Sequence, residues 1–433
     1  MYLHGTSRTN KHGHLEIGGC SSVELVEQYG TPLYVMDEKL IRSRMREFVH
    51  AFEETSHPFQ MAYASKAFST MAMCKIVEEE GFLLDVVSEG ELYTALKAGF
   101  PAERIYMHGN NKSISEMEMG IKHRIGWFVV DNLNELTMLQ QIAASKDVSV
   151  RILLRIKPGI TAHTHQYIQT GQEDSKFGLD LTPSQAYAGV QQALQSSHIE
   201  LDGFHCHIGS QIFDVEGFVH AIKRMTAFAH HCHQMYGLQT NILNLGGGFG
   251  VRYQESDSPL PISQYVKQMV KEVQAGFQNF DWVPEIWLEP GRRIVGEAGT
   301  TLYTIGTVKE IPNIRKYVAV DGGMTDNLRP ALYQAQYEAM LANRAFEPVS
   351  EVVSIAGKCC ESGDMLIWDV SLPPVRTGDT LAVSCTGAYH YALANNYNRL
   401  RRPAIVFVND GTARLVVQRE SLDDLIRLEQ AIV

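Results

Sequence analysis

The chain has 433 residues, more than one ordinary core accommodates, so two domains are expected. A hydrophobic content of 45% with 20% charged residues is ordinary for a globular protein, and no run of about 18 apolar residues offers a membrane span. The formal net charge of -11 argues against nucleic acid or an anionic membrane as a partner, and seven cysteines without framework spacing fit reduced thiols in a cytoplasm.

The polar start, residues 1–10, lacks the apolar core of a signal peptide. From residue 33 to 290 short apolar runs alternate with amphipathic helix patterns. The predicted strands are 32–36, 60–64, 82–87, 105–107, 127–130, 150–156, 201–205, 242–245 and 285–288. A helix over 89–98 is stopped by Gly99, and one over 113–123 opens on a capping box of Ser113 and Glu116. Such alternation means a parallel sheet with crossover helices, closed as a (β/α)8 barrel or open and doubly wound. The number of units favours the barrel. Polar residues recur at the strands' C-terminal ends, where a barrel gathers them at one mouth: Lys66, Asp85 and Ser88, His108, Asp131, Arg155, His207, Gly246–Gly248 and Glu289.

Beyond residue 295 the pattern becomes β-rich. Strands are predicted over 302–308, 317–320, 365–368, 380–383 and 404–408, with Asn409-Asp-Gly-Thr412 as a hairpin turn into 413–417. Helix signal is confined to 330–342 and 422–430. The barrel is placed at 33–290 and a β-rich domain at 1–32 plus 291–433.

Lys66 follows a strand and sits among small residues, where burial would favour Schiff-base chemistry. Gly246-Gly-Gly-Phe-Gly250 follows a strand and suits either a tight turn or an anion cradle of backbone N–H groups. Glu289-Pro-Gly-Arg292 sets a carboxylate and a guanidinium on one turn, as a mutual salt bridge or as partners of a ring N–H and an anion. His205-Cys-His207 and His163-Thr-His165 have metal-ligand spacing, but no metal is expected, and His207 beside Gly209-Ser210 reads as a stacking group next to a phosphate. Cys359-Cys360 reads as two thiols, with proton donation open to a neutral one. A lysine, a glycine cradle, an aromatic group and a carboxylate at strand ends are the parts that hold pyridoxal 5'-phosphate.

Five motifs in order resemble the diaminopimelate decarboxylase family, of the fold-type III pyridoxal phosphate decarboxylases: Tyr63-Ala-Ser-Lys-Ala67, Gly203-Phe-His-Cys-His-Ile-Gly-Ser-Gln211, Asp321 to Tyr333, Cys360-Glu-Ser-Gly-Asp364 and Gly387-Ala-Tyr389. The resemblance covers essentially the whole chain. It implies a (β/α)8 barrel and a β domain built from the N-terminal segment and the C-terminal third. It implies Lys66 in Schiff-base linkage to the cofactor and His207 stacked on its ring. Ser210, Gly246, Gly247, Gly248 and the Pro290-Gly291-Arg292 backbone would hold the phosphate, and Glu289 the pyridine nitrogen. Arg292, Arg329 and Tyr333 would clamp the substrate's distal carboxylate, Glu361 its distal ammonium, and Tyr389 would touch cofactor or substrate. Cys360 would return the proton, in a homodimer whose Cys360–Ser362 loop enters the partner's site. The implied reaction is decarboxylation of meso-2,6-diaminoheptanedioate to L-lysine, the last step of lysine biosynthesis. The runner-up is an ornithine, arginine or carboxylated-polyamine decarboxylase of the same fold. Arg293 and His390 depart from the family pattern.

Overall fold

The structure, a computed structural model, describes residues 1–160, 175–181 and 185–432, so His163 and His165 lie outside the described residues. The chain divides into two compact units. One is Arg44–Gly250 with Pro259–Gly291; the other is Met1–Ser43, Val251–Ser258 and Arg292–Val433.

The first unit is a closed barrel of eight parallel strands. They are Phe59–Ala64, Leu83–Val86, Ile105–Met107, Trp127–Val130, Val150–Lys157, Ile199–His205, Ile242–Asn244 and Glu285–Leu288, each hydrogen-bonded to the next. The last closes on the first through the pairs Ile286↔Phe59 and Leu288↔Met61. A short extra strand, Leu179–Asp180, pairs with Val150–Lys157. Both predicted helix boundaries are present: Ser113 and Glu116 form the capping box that opens one helix, and Gly99, after the other, takes φ +78°.

Strand side chains alternate between faces, so inward residues recur every second position. One inward layer is apolar: Ala62, Leu83, Tyr106, Val129, Leu153, Ile242 and Trp287 pack together. Trp287 fills its centre, with ring centroids 4.8 Å from Trp127 and 5.8 Å from Tyr106. Two residues further along the same strands, the inward positions are Asp85, His108, Asp131, Arg155, Asn244 and Glu289. The barrel is thus plugged by apolar side chains below and lined by polar ones at the C-terminal end of the strands.

The second unit is built on a nine-stranded sheet. Its path runs Met365–Leu372, Glu351–Ala356, Arg315–Val320, Gly299–Ile311, Leu33–Asp37, Ala404–Asn409, Thr412–Val417, with Thr380–Ser384 branching from Gly299–Ile311 and Ala339–Leu341 pairing with Thr380–Ser384. Leu33–Asp37 corrects the expected start of the barrel at 33. Its five residues are buried on both faces, and it lies antiparallel to Gly299–Ile311 and parallel to Ala404–Asn409. An apolar run of that length has no inside or outside periodicity to tell one sheet from the other. The segment 251–258 also belongs with this unit and not with the barrel.

The helix expected over 330–342 is also corrected. It covers Arg329–Tyr333, ends at Gln334 with φ +53°, and gives way to the strand Ala339–Leu341. The hairpin at Asn409 to Thr412 turns through Asp410 and Gly411, both at positive φ. The terminal helix is shorter than expected, Leu422–Ile426.

Replacing the barrel plug by Trp287→Ala should cost about 3–5 kcal/mol, since a side chain 2% exposed leaves a cavity that seven rigid neighbours cannot fill. Urea unfolding monitored by circular dichroism checks this. A loss below about 1 kcal/mol would mean that the layer relaxes around the hole.

Candidate functional site

Glu289 stands one residue past the strand Glu285–Leu288 and is 7% exposed. Four donors from three other strands and their ends converge on it. Tyr106 Oη donates to Oε1 at 2.8 Å, His108 Nε2 at 2.9 Å and Asn244 Nδ2 at 2.7 Å. His205 Nε2 donates to Oε2 at 3.2 Å. A carboxylate only accepts, so both imidazoles carry their proton on Nε2. Burial opposes the charge on Glu289, but the hydrogen bonds donated by His108 and His205 hold its carboxyl well below the usual carboxylate range. Burial drives the imidazoles the other way: His108 is lowered, and His205 falls to about 4.

The surrounding groups are fixed in turn. Lys112, buried, pairs with Glu135 at 2.7 Å and donates to the carbonyls of Gly109 (2.9 Å) and Val129 (2.7 Å), which pins the turn after His108. Arg155 lies 3.8 Å from Asp131 and 4.4 Å over the Phe177 ring. Asp85 is pushed well above the carboxylate range by burial and by Glu289, with Lys66 pulling the other way.

Lys66 sits in the turn Ser65–Ala67, directly after its strand, with its side chain exposed. The backbone behind it is locked: Ala64 N–H donates to the carbonyl of Pro290 at 3.3 Å. A Cβ on Gly291 would come within 3.0 Å of Ala64 and Ala67. The glycine run is equally tight. A Cβ would lie 2.7 Å from the Cys206 carbonyl at Gly246, 2.2 Å from the Glu289 carbonyl at Gly247 and 2.3 Å from the Gly209 carbonyl at Gly248. Glycine is required because three strand ends meet backbone to backbone here. Two of the cradle's N–H groups already have partners: Gly246 donates to Asn244 Oδ1 at 2.9 Å, and Gly247 to His207 Nδ1 at 3.2 Å. His207 is therefore protonated on Nε2, and burial and the nearby Lys66 keep it from taking a second proton, well below the usual range. Ser210 follows half-buried in the same loop. Lys66, His207, Ser210, Gly246–Gly248, Glu289, Pro290 and Gly291 thus all lie in the barrel unit.

A second cluster lies in the β-rich unit. Arg292 and Arg329, both buried, donate through Nη1 to the single phenol oxygen of Tyr253, at 2.6 and 2.7 Å. Arg329 also reaches Tyr337 Oη at 3.0 Å. The Arg292 guanidinium lies 4.7 Å over the Tyr389 ring, and that of Arg329 lies 5.8 Å over Tyr333. His390, the departure beside Tyr389, is buried with Nδ1 2.8 Å from the Ala388 carbonyl, and Arg293 is buried too. Cys360 and Glu361 are exposed on the loop after Glu351–Ala356. Cys360 N–H donates to Asn398 Oδ1 at 2.7 Å, and Glu361 Oε1 accepts from Gly363 N–H at 3.1 Å. Cys359 is a different thiol, pushed up to about 12 by burial and by Asp364.

The family model described as "Pyridoxal-dependent decarboxylase, pyridoxal binding domain" matches residues 38–296. The diaminopimelate decarboxylase of Bacillus subtilis is 58% identical, over 99% of this chain and 98% of its own. That of Halalkalibacterium halodurans is 56% identical over 100% and 99%. A crystal structure of diaminopimelate decarboxylase from M. jannaschii in complex with L-lysine superposes with a TM-score of 0.93 at 34% identity, covering 99% of this chain and 98% of that one.

The chain belongs to the diaminopimelate decarboxylase family.

Pyridoxal phosphate is the cofactor of this family, and the barrel fits it on structural grounds. Oε1 of Glu289 accepts three hydrogen bonds but Oε2 accepts one, which leaves room for a ring N–H. The same carboxylate with His108 and His205 has ligand atoms within 4.8 Å of one another, a spacing a metal ion can use. Here those atoms are already spent on hydrogen bonds. His205 and His207, whose spacing alone would suit a metal, are divided: His205 joins Glu289, and His207 joins the glycine run.

Tyr106, Asn244 and Tyr253 escaped the sequence reading. The first two are marked by period alone, since Tyr106 precedes His108 by two and Asn244 follows Ile242 by two on inward faces. Tyr253 carries no such signal, being a single aromatic residue in the irregular stretch after the glycines.

Holding His205 neutral makes folding exclude a proton that the unfolded chain binds at about pH 6.5. Native stability should therefore fall as pH drops from about 6.5 towards the folded value of about 4. His205→Gln keeps a donor but cannot titrate, so its urea midpoint should change less than that of the native sequence between about pH 7 and about pH 5. Equal slopes would remove His205 from the acid response.

Proposed function

We propose that the chain decarboxylates meso-2,6-diaminoheptanedioate to L-lysine and CO2, in the cytoplasm, as a homodimer with shared active sites. One observation carries the chemistry: a buried carboxylate with four donors and one open lone-pair position. When bound, the cofactor supplies an electron sink for the bond pair left by departing CO2. Glu289, ionised, keeps a proton on the ring nitrogen and so sustains that sink. Lys66, in the turn directly after its strand, would hold the cofactor through its aldehyde carbon. His207 offers a flat, uncharged face. Ser210 and the N–H groups of Gly246–Gly248, with the Pro290-Gly291-Arg292 backbone, hold the phosphate. That requires the Gly247 N–H to leave His207 or to share itself.

The substrate's far end is recognised by charge. Arg292, Arg329 and Tyr333 take its carboxylate, Glu361 of the partner subunit takes its ammonium, and Tyr389 closes the pocket against Arg292. Arg329 makes no ion pair among the described residues, and its Nε is buried without a hydrogen-bond partner. A buried guanidinium in that state is costly until an anion arrives. Ornithine and arginine bring no second carboxylate and would leave it so. Cys360, exposed on its loop, returns the proton to the carbon that lost CO2.

Lys66→Ala should abolish the borohydride-reducible link to the cofactor and nearly all turnover. Glu289→Gln should retain the link but slow decarboxylation by several orders of magnitude, each factor of ten being about 1.4 kcal/mol of barrier. Peptide mapping and single-turnover kinetics check the pair. An adduct on another lysine, or a Glu289→Gln effect below about threefold, would reassign these roles.

Sharing of sites is tested by complementation. Lys66→Ala and Cys360→Ala should each be nearly inactive alone. Mixed with verified subunit exchange, they should regain activity approaching a quarter of the native level, because one site per heterodimer is intact. No recovery would place the thiol in its own chain or exclude it as the donor.

A further inference from the structure

The stretch Val251–Ser258 leaves the glycine run and belongs to the β-rich unit. Its backbone is anchored. Asp257 Oδ2 accepts the N–H groups of Tyr253 (2.9 Å) and Gln254 (3.0 Å), and Glu297 Oε1 accepts that of Arg252 at 3.2 Å. The ring is wedged edge-on against Tyr337, with centroids 5.5 Å apart and planes at 90°. The Tyr253 hydroxyl is thus held in place before any ligand arrives.

Its hydrogen-bond inventory is unbalanced. A phenol oxygen accepts two hydrogen bonds and donates one. Both acceptor positions are filled, by Nη1 of Arg292 and Nη1 of Arg329. Among the described residues Tyr253 Oη donates to nothing. Tyr337, the other phenol on Arg329, accepts one hydrogen bond and is 4% exposed, whereas Tyr253 is only half-buried. Two cations drawn to one neutral oxygen repel each other, and Arg329 has no carboxylate counterion among the described residues. The place where an anion would relieve the charge of Arg329 is therefore the place where the Tyr253 proton lacks an acceptor.

We propose that Tyr253 is a specificity-determining residue whose O–H, set between Arg292 and Arg329, donates a third hydrogen bond to the distal carboxylate of the substrate. The proposal rests on the reading of these arginines as the carboxylate clamp. A carboxylate has lone pairs enough for two guanidinium groups and a hydroxyl. The hydroxyl also keeps the guanidinium groups side by side while the site is empty, so little ordering is left for the substrate to bring about. Because the distal carboxylate does not react, its hydrogen bond is the same before and during bond cleavage. Losing it should raise KM and leave kcat nearly unchanged.

The test uses the cofactor-loaded enzyme with L-lysine and L-lysinamide as competitive inhibitors, two molecules that differ in whether the carboxylate is present. In Tyr253→Phe the inhibition constant of lysine should rise about tenfold or more, that of lysinamide should stay within about threefold, and kcat should stay within about threefold. Tyr337→Phe, which removes only the buried partner of Arg329, should change lysine binding much less. A ring-fluorinated tyrosine at position 253, assayed while its phenol is protonated, preserves the shape and strengthens the donor, so lysine should bind more tightly with lysinamide unchanged. This variant decides the matter if Tyr253→Phe loses cofactor or unfolds. Equal weakening of both inhibitors, an effect matched by Tyr337→Phe, or no response to fluorination would overturn the proposal. If Arg329→Ala abolishes the preference for lysine while Tyr253→Phe leaves it intact, the clamp stands and the tyrosine is not part of it. If Arg329→Ala also leaves the preference intact, the clamp reading itself fails.

Discussion

The barrel is organised around one negative charge that it must not neutralise. Taking a carboxylate out of water costs several kcal/mol unless hydrogen bonds replace its hydration. Glu289 is given four, from Tyr106, His108, His205 and Asn244. These donors stand on three strands besides its own, so no local segment can supply them. The charge is stabilised only when the barrel is closed and every strand is in register. A slip of one residue on the strand Ile242–Asn244 would turn Asn244 outward and remove both its donation to Glu289 and its acceptance from Gly246. Closure, register and the ionisation state of one side chain are therefore a single condition.

The same condition explains why neutral histidines serve here. A protonated imidazole beside Glu289 would form a buried ion pair, and its positive charge would compete with a cationic ring for the same oxygen atoms. Burial removes that competitor, with His205 at about 4 and His108 also lowered. The rings still donate their Nε2 protons. They orient the carboxylate without cancelling it, and the net negative charge stays available to a cationic partner.

What could be read from the sequence follows physical range. Barrel strands are legible because each is a short apolar run ending in a polar residue, and the two-residue period separates plug from mouth. Lys66, Glu289 and the glycines announce themselves because their chemistry is unusual at a strand end. Leu33–Asp37 was misplaced because a strand buried on both faces looks alike in either sheet. The break at Gln334 was missed because a left-handed glutamine has no composition signal, and the apolar residues at 337–341 continue a helical pattern by coincidence. Glu289 and Arg292, three residues apart and opposite in charge, left a mutual salt bridge and separate partners equally open. Glu289 spends its oxygen atoms on donors of its own barrel, while Arg292 donates to Tyr253.

Adjacent cysteines show how one residue of displacement separates inert from available chemistry. Cys359 is partly buried against Asp364, whose carboxylate accepts the Cys359 N–H at 2.8 Å, and burial together with that carboxylate drives the thiol up to about 12. Asp364 is itself seated by two glycines: a Cβ at Gly357 or Gly323 would lie 2.1 or 2.5 Å from its oxygen atoms. The other oxygen accepts the Met324 N–H at 2.6 Å, so the carboxylate joins the loop before Arg329 to the loop that carries the thiols. Cys360, one position on, is held only through its backbone by Asn398 and stays exposed. A proton donor needs to keep its proton until a carbanion forms and then to deliver it without moving a buried neighbour. An exposed thiol whose backbone is held by Asn398 has no buried neighbour to displace. A thiol locked beneath a carboxylate has one.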